Sequence, residues 1–409
     1  MTENSISQTE NVYIIKPLFE KNDDSADEIC ALVESAGAKV CGIKMQFIRE
    51  VNPATFIGSG KLEEIKEELV GSAVNLIVFD GELSPSQTLN IRALVDKKVI
   101  DRTTLILDIF ALNAKSTEGK LQVELAQLNY IYPRLRGKGA ELSQQGGGIG
   151  TRGPGETQLE TDRRHIRRRI DYLESALKAV ENRRNLQSRR REKNNVKTVA
   201  LVGYTNTGKS TLLNRLTGAG VLVKNQLFAT LDPTMRKLTL KNSEVLLVDT
   251  VGFVRNIPHH LIEAFKSTLE TAVQADLIVI VCDAKGDYKT QLSTTEKTLE
   301  EIGANGPKLI VFNKCDGIVD FSTFPKDAVF VSALYGQGIS SLLERMDDFF
   351  KENYVALSLT LSYEQYGVLR KLKDDYILKS VVFTDSGVNV DISIPKQHYL
   401  KFRTRLKIG

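Results

Sequence analysis

The chain has no tryptophan, ten prolines and four cysteines in 409 residues. The cysteines, Cys30, Cys41, Cys282 and Cys315, form no CxxC pair, so neither a disulfide framework nor a zinc site is expected. No apolar stretch approaches the roughly 18 residues that a membrane span needs. The opening MTENSISQTE is polar and acidic, where a signal peptide would be basic and then apolar. A cytoplasmic protein with no membrane span is expected. The low proline count, with 42% hydrophobic and 26% charged residues, excludes a disordered chain. At about 150 residues per domain there is room for two or three cores, which excludes a lone binding module.

What is present is unevenly distributed. The net charge of +4 averages an acidic front, −6 over residues 1–120, with a basic middle, +8 over residues 121–197. Residues 12–110 alternate short apolar runs (VYIIKPL, KVCGIKMQFI, NLIVFD) with helix-period stretches, the pattern of an α/β layer domain. Leu and Ile then recur at helical spacing over Thr117–Tyr132 and Glu160–Lys193, predicting two long helices as an antiparallel pair. Between them 133–157 is too rich in Gly and polar residues for an element interior, and predicts an exposed loop. From Thr198 the runs KTVALVG, EVLLVD, DLIVIVCD, KLIVFN and AVFVS predict a doubly wound parallel sheet. The expected fold class is α/β. Its domains are an N-terminal α/β subdomain (1–115), a helical hairpin (116–195), a P-loop domain (196–350) and a small α+β C-terminal domain (351–409).

Chemistry concentrates in four segments. Gly203–Thr211, GYTNTGKST, follows a strand run and precedes a helix pattern. This is GxxxxGK[ST] in the context that a phosphate site needs. Gly203 and Gly208 let backbone N–H groups approach phosphates, with Tyr204, Thr205, Asn206 and Thr207 between them, and the helix N-terminus adds partial positive charge. Lys209 would reach the β- and γ-phosphates, Ser210 would ligate Mg2+, and Thr211 completes the motif. EVLLVDTVG puts Asp249, Thr250, Val251 and Gly252 at a strand end. Asp249 can hold Mg2+ through water and the Gly252 N–H can meet a γ-phosphate. NKCD, Asn313, Lys314, Cys315 and Asp316, follows the next-to-last apolar run. An aspartate accepts from both donors on guanine's Watson–Crick edge, whereas adenine offers no such pair, so Asp316 selects GTP over ATP. Ser332, Ala333 and Leu334 follow one more strand, where the Ala333 N–H could meet guanine O6. Four signals in this order define a GTPase domain.

Together with FATLDPT (Phe228–Thr234) and GGGIGTRGPGETQLETDRR, these motifs resemble the HflX family of translation-factor-related GTPases over about residues 10–350. The resemblance implies that Phe228, Ala229, Thr230, Leu231 and Asp232 form the first switch, with Thr230 on Mg2+ when GTP is bound, and that DTVG is the second. It implies GTP hydrolysis with Lys209, Thr230 and Gly252 at the reacting phosphate, and Ser210 and Thr230 as metal ligands. It further implies a monomer that binds the large ribosomal subunit and its rRNA through 121–195, with loop 133–157 entering the ribosome, and that splits stalled or idle ribosomes under stress or antibiotic exposure. A regulatory RNA-binding scaffold and a subunit-assembly GTPase are the alternatives.

Two residues qualify this. Many GTPases carry, after DxxG, a Gln that orients the attacking water. Here Phe253 stands there, so hydrolysis alone should be slow and partner-stimulated. Asn206 suggests either a K+ site, as in some GTPases, or a residue tolerating unusual backbone. From Arg163 to Lys193 twelve Lys/Arg face four Asp/Glu. That density suits RNA phosphates, a solvated helix face being the rival. Without tryptophan or an aromatic recognition signature, shape and backbone contacts are expected rather than base reading.

Overall fold

The computed structural model describes residues 9–19, 26–135, 154–193, 196–218, 220, 226–241, 243–255, 258, 261, 266–351, 354–372 and 376–406. Most of the Gly-rich stretch 133–157 lies outside the described residues. The chain divides into two compact units. One comprises Met1–Val180, Lys224–Asp232 and Val254–Ser267; the other comprises Glu181–Val223, Pro233–Phe253 and Thr268–Gly409. The two short segments 224–232 and 254–267, which lie within the sequence bounds of the P-loop domain, belong to the first unit.

The first unit opens with β1 (Asn11–Leu18), α1 (Asp27–Ser35), β2 (Lys39–Phe47), α2 (Ser59–Glu68), β3 (Leu76–Phe79), α3 (Pro85–Val95), β4 (Lys98–Asp101) and α4 (Arg102–Asn113). Its four strands are all parallel, in the order β2-β1-β3-β4. β1 and β3 are buried almost throughout, which explains why they read as unbroken apolar runs rather than as alternation. Ile15, Ile77 and Phe79 pack on Leu62, Ile65 and Ile91 in one cluster. Local chemistry marks the helix starts. Ser84 and Gln87 form a capping box ahead of Pro85, and Asp101 ends β4 and caps α4 by accepting the Thr104 N–H at 2.9 Å.

Two long helices follow, α5 (Thr117–Arg134) and α6 (Pro154–Lys193). Glu124 takes a forked pair from Arg169, 2.6 and 2.8 Å, and the Arg163 guanidinium lies 5.6 Å from the Tyr132 ring centroid. The paired positions advance in opposite directions along the two helices, so they run antiparallel, with Leu173 of α6 fully buried. Arg163 and Arg169, both from the RRHIRRR run, are therefore engaged inside the unit.

The second unit holds β5 (Lys197–Val202), α7 (Lys209–Thr217), β6 (Thr234–Thr239), β7 (Glu244–Asp249), α8 (Lys266–Val273), β8 (Leu277–Asp283), α9 (Tyr288–Glu301), β9 (Lys308–Asn313), β10 (Val329–Phe330) and α10 (Ile339–Lys351), α8 beginning in the other unit. The sheet order is β10-β9-β8-β5-β7-β6, parallel except for β6, which hairpins onto β7. From central β5 the chain goes first to β6 and β7 on one side, then crosses to β8 on the other. The carboxyl end of β5 is thus the topological switch point where open α/β sheets bind ligands. β11 (Tyr354–Leu361), α11 (Tyr363–Lys371), β12 (Ile377–Thr384), β13 (Gly387–Pro395) and α12 (Lys396–Leu406) close the chain as an antiparallel sheet, order β11-β13-β12. Val388, Val390, Ile392 and Ile394 form its buried face with Leu369, Phe402 and Leu406 of the two helices.

Candidate nucleotide site

The loops after β5, β7, β9 and β10 leave one edge of the sheet, and they carry GYTNTGKST, DTVG, NKCD and SAL. The backbone is built for phosphate. Gly203 has φ +146 and Gly208 φ +89. A Cβ at Gly203 would overlap the Val281 carbonyl oxygen, and one at Gly208 would overlap the Asn313 side-chain amide, so only glycine fits either position. Asn206 sits at φ +60, where Asn is enriched among non-glycine residues. Lys209 donates to the Gly203 and Tyr204 carbonyls at 3.0 and 2.7 Å. Burial pushes its pKa down to about 8, with the nearby Asp249 carboxylate partly opposing this.

Ser210 Oγ donates to Asp249 Oδ2 at 2.6 Å, placing a hydroxyl and a carboxylate at the base of the loop. Thr250 and Val251 are buried, and the Thr250 hydroxyl donates to the Leu201 carbonyl at 2.8 Å, so both serve packing. A Cβ at Gly252 would lie 2.8 Å from Thr205 Cα and 3.0 Å from Lys209 Nζ, which fixes glycine where the second switch meets the phosphate loop. Phe253 laces the two together. Its N–H donates to the Gly203 carbonyl at 3.1 Å and its carbonyl accepts the Thr205 N–H at 2.7 Å. Its side chain is 1% exposed. The position that carries a water-orienting Gln elsewhere is here a core position. Phe253→Gln is expected to leave turnover unimproved, and Phe253→Ala to cost about 3–5 kcal/mol of stability by denaturant unfolding.

NKCD braces the site. Asn313 donates to the Thr207 carbonyl at 2.8 Å, and Lys314 donates to the Asn206 carbonyl at 2.9 Å and to Asp283 at 2.6 Å. The Cys315 N–H donates to the Val331 carbonyl at 3.1 Å and its thiol is buried. Asp316 accepts from Ser332 Oγ at 2.8 Å and from Lys285 Nζ at 2.6 Å. These bonds, Lys285 first, hold its carboxylate below the usual range. Sequence reasoning missed Lys285, although it lies two residues past the end of β8, on the same sheet edge. The Ala333 N–H, expected to face guanine O6, instead donates to Asn313 Oδ1 at 2.9 Å.

The FATLD segment belongs to the first compact unit, and its side chains are anchored there. Phe228 is buried with φ +57 and its ring meets Phe110 edge-on, centroids 4.6 Å apart. The Leu227 N–H donates to Ser35 Oγ at 2.9 Å and Leu231 is buried. Asp232 accepts the N–H groups of Lys115 and Ser116 at 3.0 and 2.7 Å and the Ser116 hydroxyl, beside Gly119, where a Cβ would collide with the carboxylate. Phe228, Leu231 and Asp232 thus use their side chains for packing and capping. Ala229 and Thr230 are half-buried. No group of three or more His, Cys, Asp or Glu side chains able to hold a metal occurs among the described residues, and no described helix is long and apolar enough to cross a membrane.

The fold, the glycine cradle and the guanine-type acceptor define a P-loop GTPase. Comparison with known proteins narrows the class. The family model described as GTP-binding GTPase N-terminal matches residues 23–111, that described as GTP-binding GTPase Middle Region matches 113–191, and that described as 50S ribosome-binding GTPase matches 198–314. The chain is 46% identical over 378 residues to a GTPase HflX of Caldanaerobacter subterraneus, covering 91% of this chain and 88% of that one. It is 41% identical over 401 residues to the GTPase HflX of Escherichia coli, covering 94% of each. A crystal structure of a GTP-binding protein from Sulfolobus solfataricus with GDP is similar at 26% identity and TM-score 0.45, covering 84% of this chain and 99% of that one. The chain belongs to the HflX family, and it is a GTP hydrolase.

Proposed function

We propose that this chain is a ribosome-splitting GTPase of the cytoplasm. In this reading it binds the large subunit and its rRNA through 121–195, separates stalled or idle ribosomes when GTP is bound, and leaves on hydrolysis. The observation that carries it is the joint match, on one chain, of the ribosome-binding GTPase model with the N-terminal and middle-region models. The basic α6 supports an RNA partner, its remaining Arg and Lys residues outnumbering its acids even with Arg163 and Arg169 engaged within the unit.

At the site, Gly203 to Thr211 would wrap the phosphates, with Lys209 carrying the positive charge toward the β- and γ-groups. Asp316 would take guanine N1–H and N2–H2. The hydroxyl and carboxylate of Ser210 and Asp249 are hard oxygen donors, and such a pair suits Mg2+, which keeps few protein ligands. Bound there, Mg2+ neutralises phosphate charge. Ser210 would ligate it directly, Asp249 through water, and Thr230 in the GTP state.

With Phe253 buried, no water-orienting Gln follows DTVG, so a partner would supply or organise that function. GTP turnover titrated with intact ribosomes, isolated subunits and free RNA tests the reading. Slow basal turnover should rise about 10²-fold or more with ribosomes or large subunits, and a non-hydrolysable GTP analogue should support one round of splitting by sedimentation. Stimulation by free RNA alone would favour a scaffold, and preference for immature particles would favour an assembly factor. The φ of +60 at Asn206 supports the backbone reading of that residue, so equal turnover in KCl and NaCl is expected; faster turnover in KCl would assign it a K+ role.

A further inference from the structure

Arg215 lies on α7, two turns from the phosphate loop, and no motif includes it. Its Nε donates to the Ala333 carbonyl at 2.9 Å and its Nη2 donates to the Leu334 carbonyl. Around it, several backbone donors of the loop after β10 are committed. The Ser332 N–H donates to the Gln337 carbonyl at 3.0 Å, Ala333 to Asn313 Oδ1 at 2.9 Å, Tyr335 to Ser332 Oγ at 3.4 Å, and Gly336 to the Ser332 carbonyl at 2.7 Å. Among the described residues no acceptor is found for the N–H groups of Leu334, Gln337 and Gly338, and of these only Leu334 shares its peptide with the Ala333 carbonyl that Arg215 holds. Ser332 Oγ in turn holds Asp316 at 2.8 Å, so this free donor stands in the same loop that orients the guanine acceptor.

The Ala333 carbonyl and the Leu334 N–H belong to one planar trans peptide and point in opposite directions. A guanidinium that grips the carbonyl therefore fixes the direction of the N–H, and a planar fork spanning two successive carbonyls fixes the loop against rotation. We infer that Arg215 is a positioning residue for guanine recognition: it aims the Leu334 N–H at O6 of the base. The inference rests on the reading that guanine lies against Asp316 and the loop at 332–334.

The test pairs two nucleotides with three proteins. GDP presents the O6 acceptor, whereas 6-thio-GDP keeps N1–H and N2–H2 but offers sulfur, a weak acceptor. In the full chain, GDP should bind about tenfold tighter than 6-thio-GDP. Arg215→Ala should weaken GDP by about tenfold and 6-thio-GDP by less than about twofold, because the lost orientation matters only where the N–H has a good acceptor. Arg215→Lys, a single ammonium in place of a fork, should fall between and serves if the alanine variant does not fold. General loosening of the domain would weaken both nucleotides equally, and that result, or no loss for GDP in either variant, overturns the role of Arg215. If the unsubstituted protein itself binds both nucleotides equally, the placement of O6 at this loop is wrong, and the proposal falls with it by a separate route.

Discussion

Asp316→Asn should convert a guanine site into a xanthine site, lowering GDP affinity by about 10²–10³-fold and raising that for XDP by a comparable factor. The change exchanges one acceptor for one donor. Ser332 Oγ donates to one carboxylate oxygen at 2.8 Å and Lys285 Nζ to the other at 2.6 Å. In the amide, the oxygen would keep the Ser332 bond and the NH2 would face the base. Guanine presents N2–H2 there, donor against donor, whereas xanthine presents a carbonyl oxygen that the NH2 can satisfy. Lys285 loses its anionic partner, but that pair is half exposed on the lysine side and contributes little. The fold should survive, since Asp316 is not a core residue. Competition titrations of GDP and XDP against a fluorescent nucleotide measure the exchange. Retention of GDP affinity within about threefold would remove Asp316 from base recognition.

Much of this site was legible because its parts are local. A phosphate loop needs glycine at fixed offsets, and the collisions a Cβ would make at Gly203 and Gly208 are the physical cause of that spacing. The parallel sheet was legible for the same reason its strands are buried on both faces: continuous apolar runs leave a strong signal. What stayed hidden depends on contacts distant in sequence. Arg215 and Ala333 are far apart along the chain, and nothing in LLNRLT marks one arginine as a clamp. Phe253 reads as a substitution for Gln until its burial places it in the core. FATLDPT illustrates the limit best. Its motif points to a nucleotide switch, and in this structure Phe228 packs on Phe110, Asp232 caps Ser116 and the backbone of 115–116, and Leu231 is buried. The arginines of RRHIRRR are plain in the sequence, but the partners of two of them, Glu124 for Arg169 and Tyr132 for Arg163, lie on the other long helix.

Lys209→Met should abolish nucleotide binding, by about 10³-fold or more for GTP, while leaving the folded protein as stable as before or more stable by up to about 2 kcal/mol. The two signs have one origin. An unfolded lysine titrates near 10.5, whereas burial pushes Lys209 down to about 8, so at neutral pH the enclosed ammonium disfavours the fold by about 3 kcal/mol. Its bonds to the Gly203 and Tyr204 carbonyls offset part of this, and methionine fills the stem's volume without the charge. Because the folded pKa is the lower one, the unfolded chain binds more protons between about 8 and 10.5. Stability of the unsubstituted protein should therefore rise with pH across that window relative to the variant. Phosphate reverses the logic, since its negative charge favours the ammonium and raises the pKa again. Nucleotide binding should then take up protons, with affinity falling as pH climbs above about 8, and calorimetry in buffers of different ionisation enthalpy would detect the uptake. A variant that is clearly destabilised, or nucleotide binding without proton uptake at pH 9, would show that Lys209 is not a strained charge awaiting phosphate.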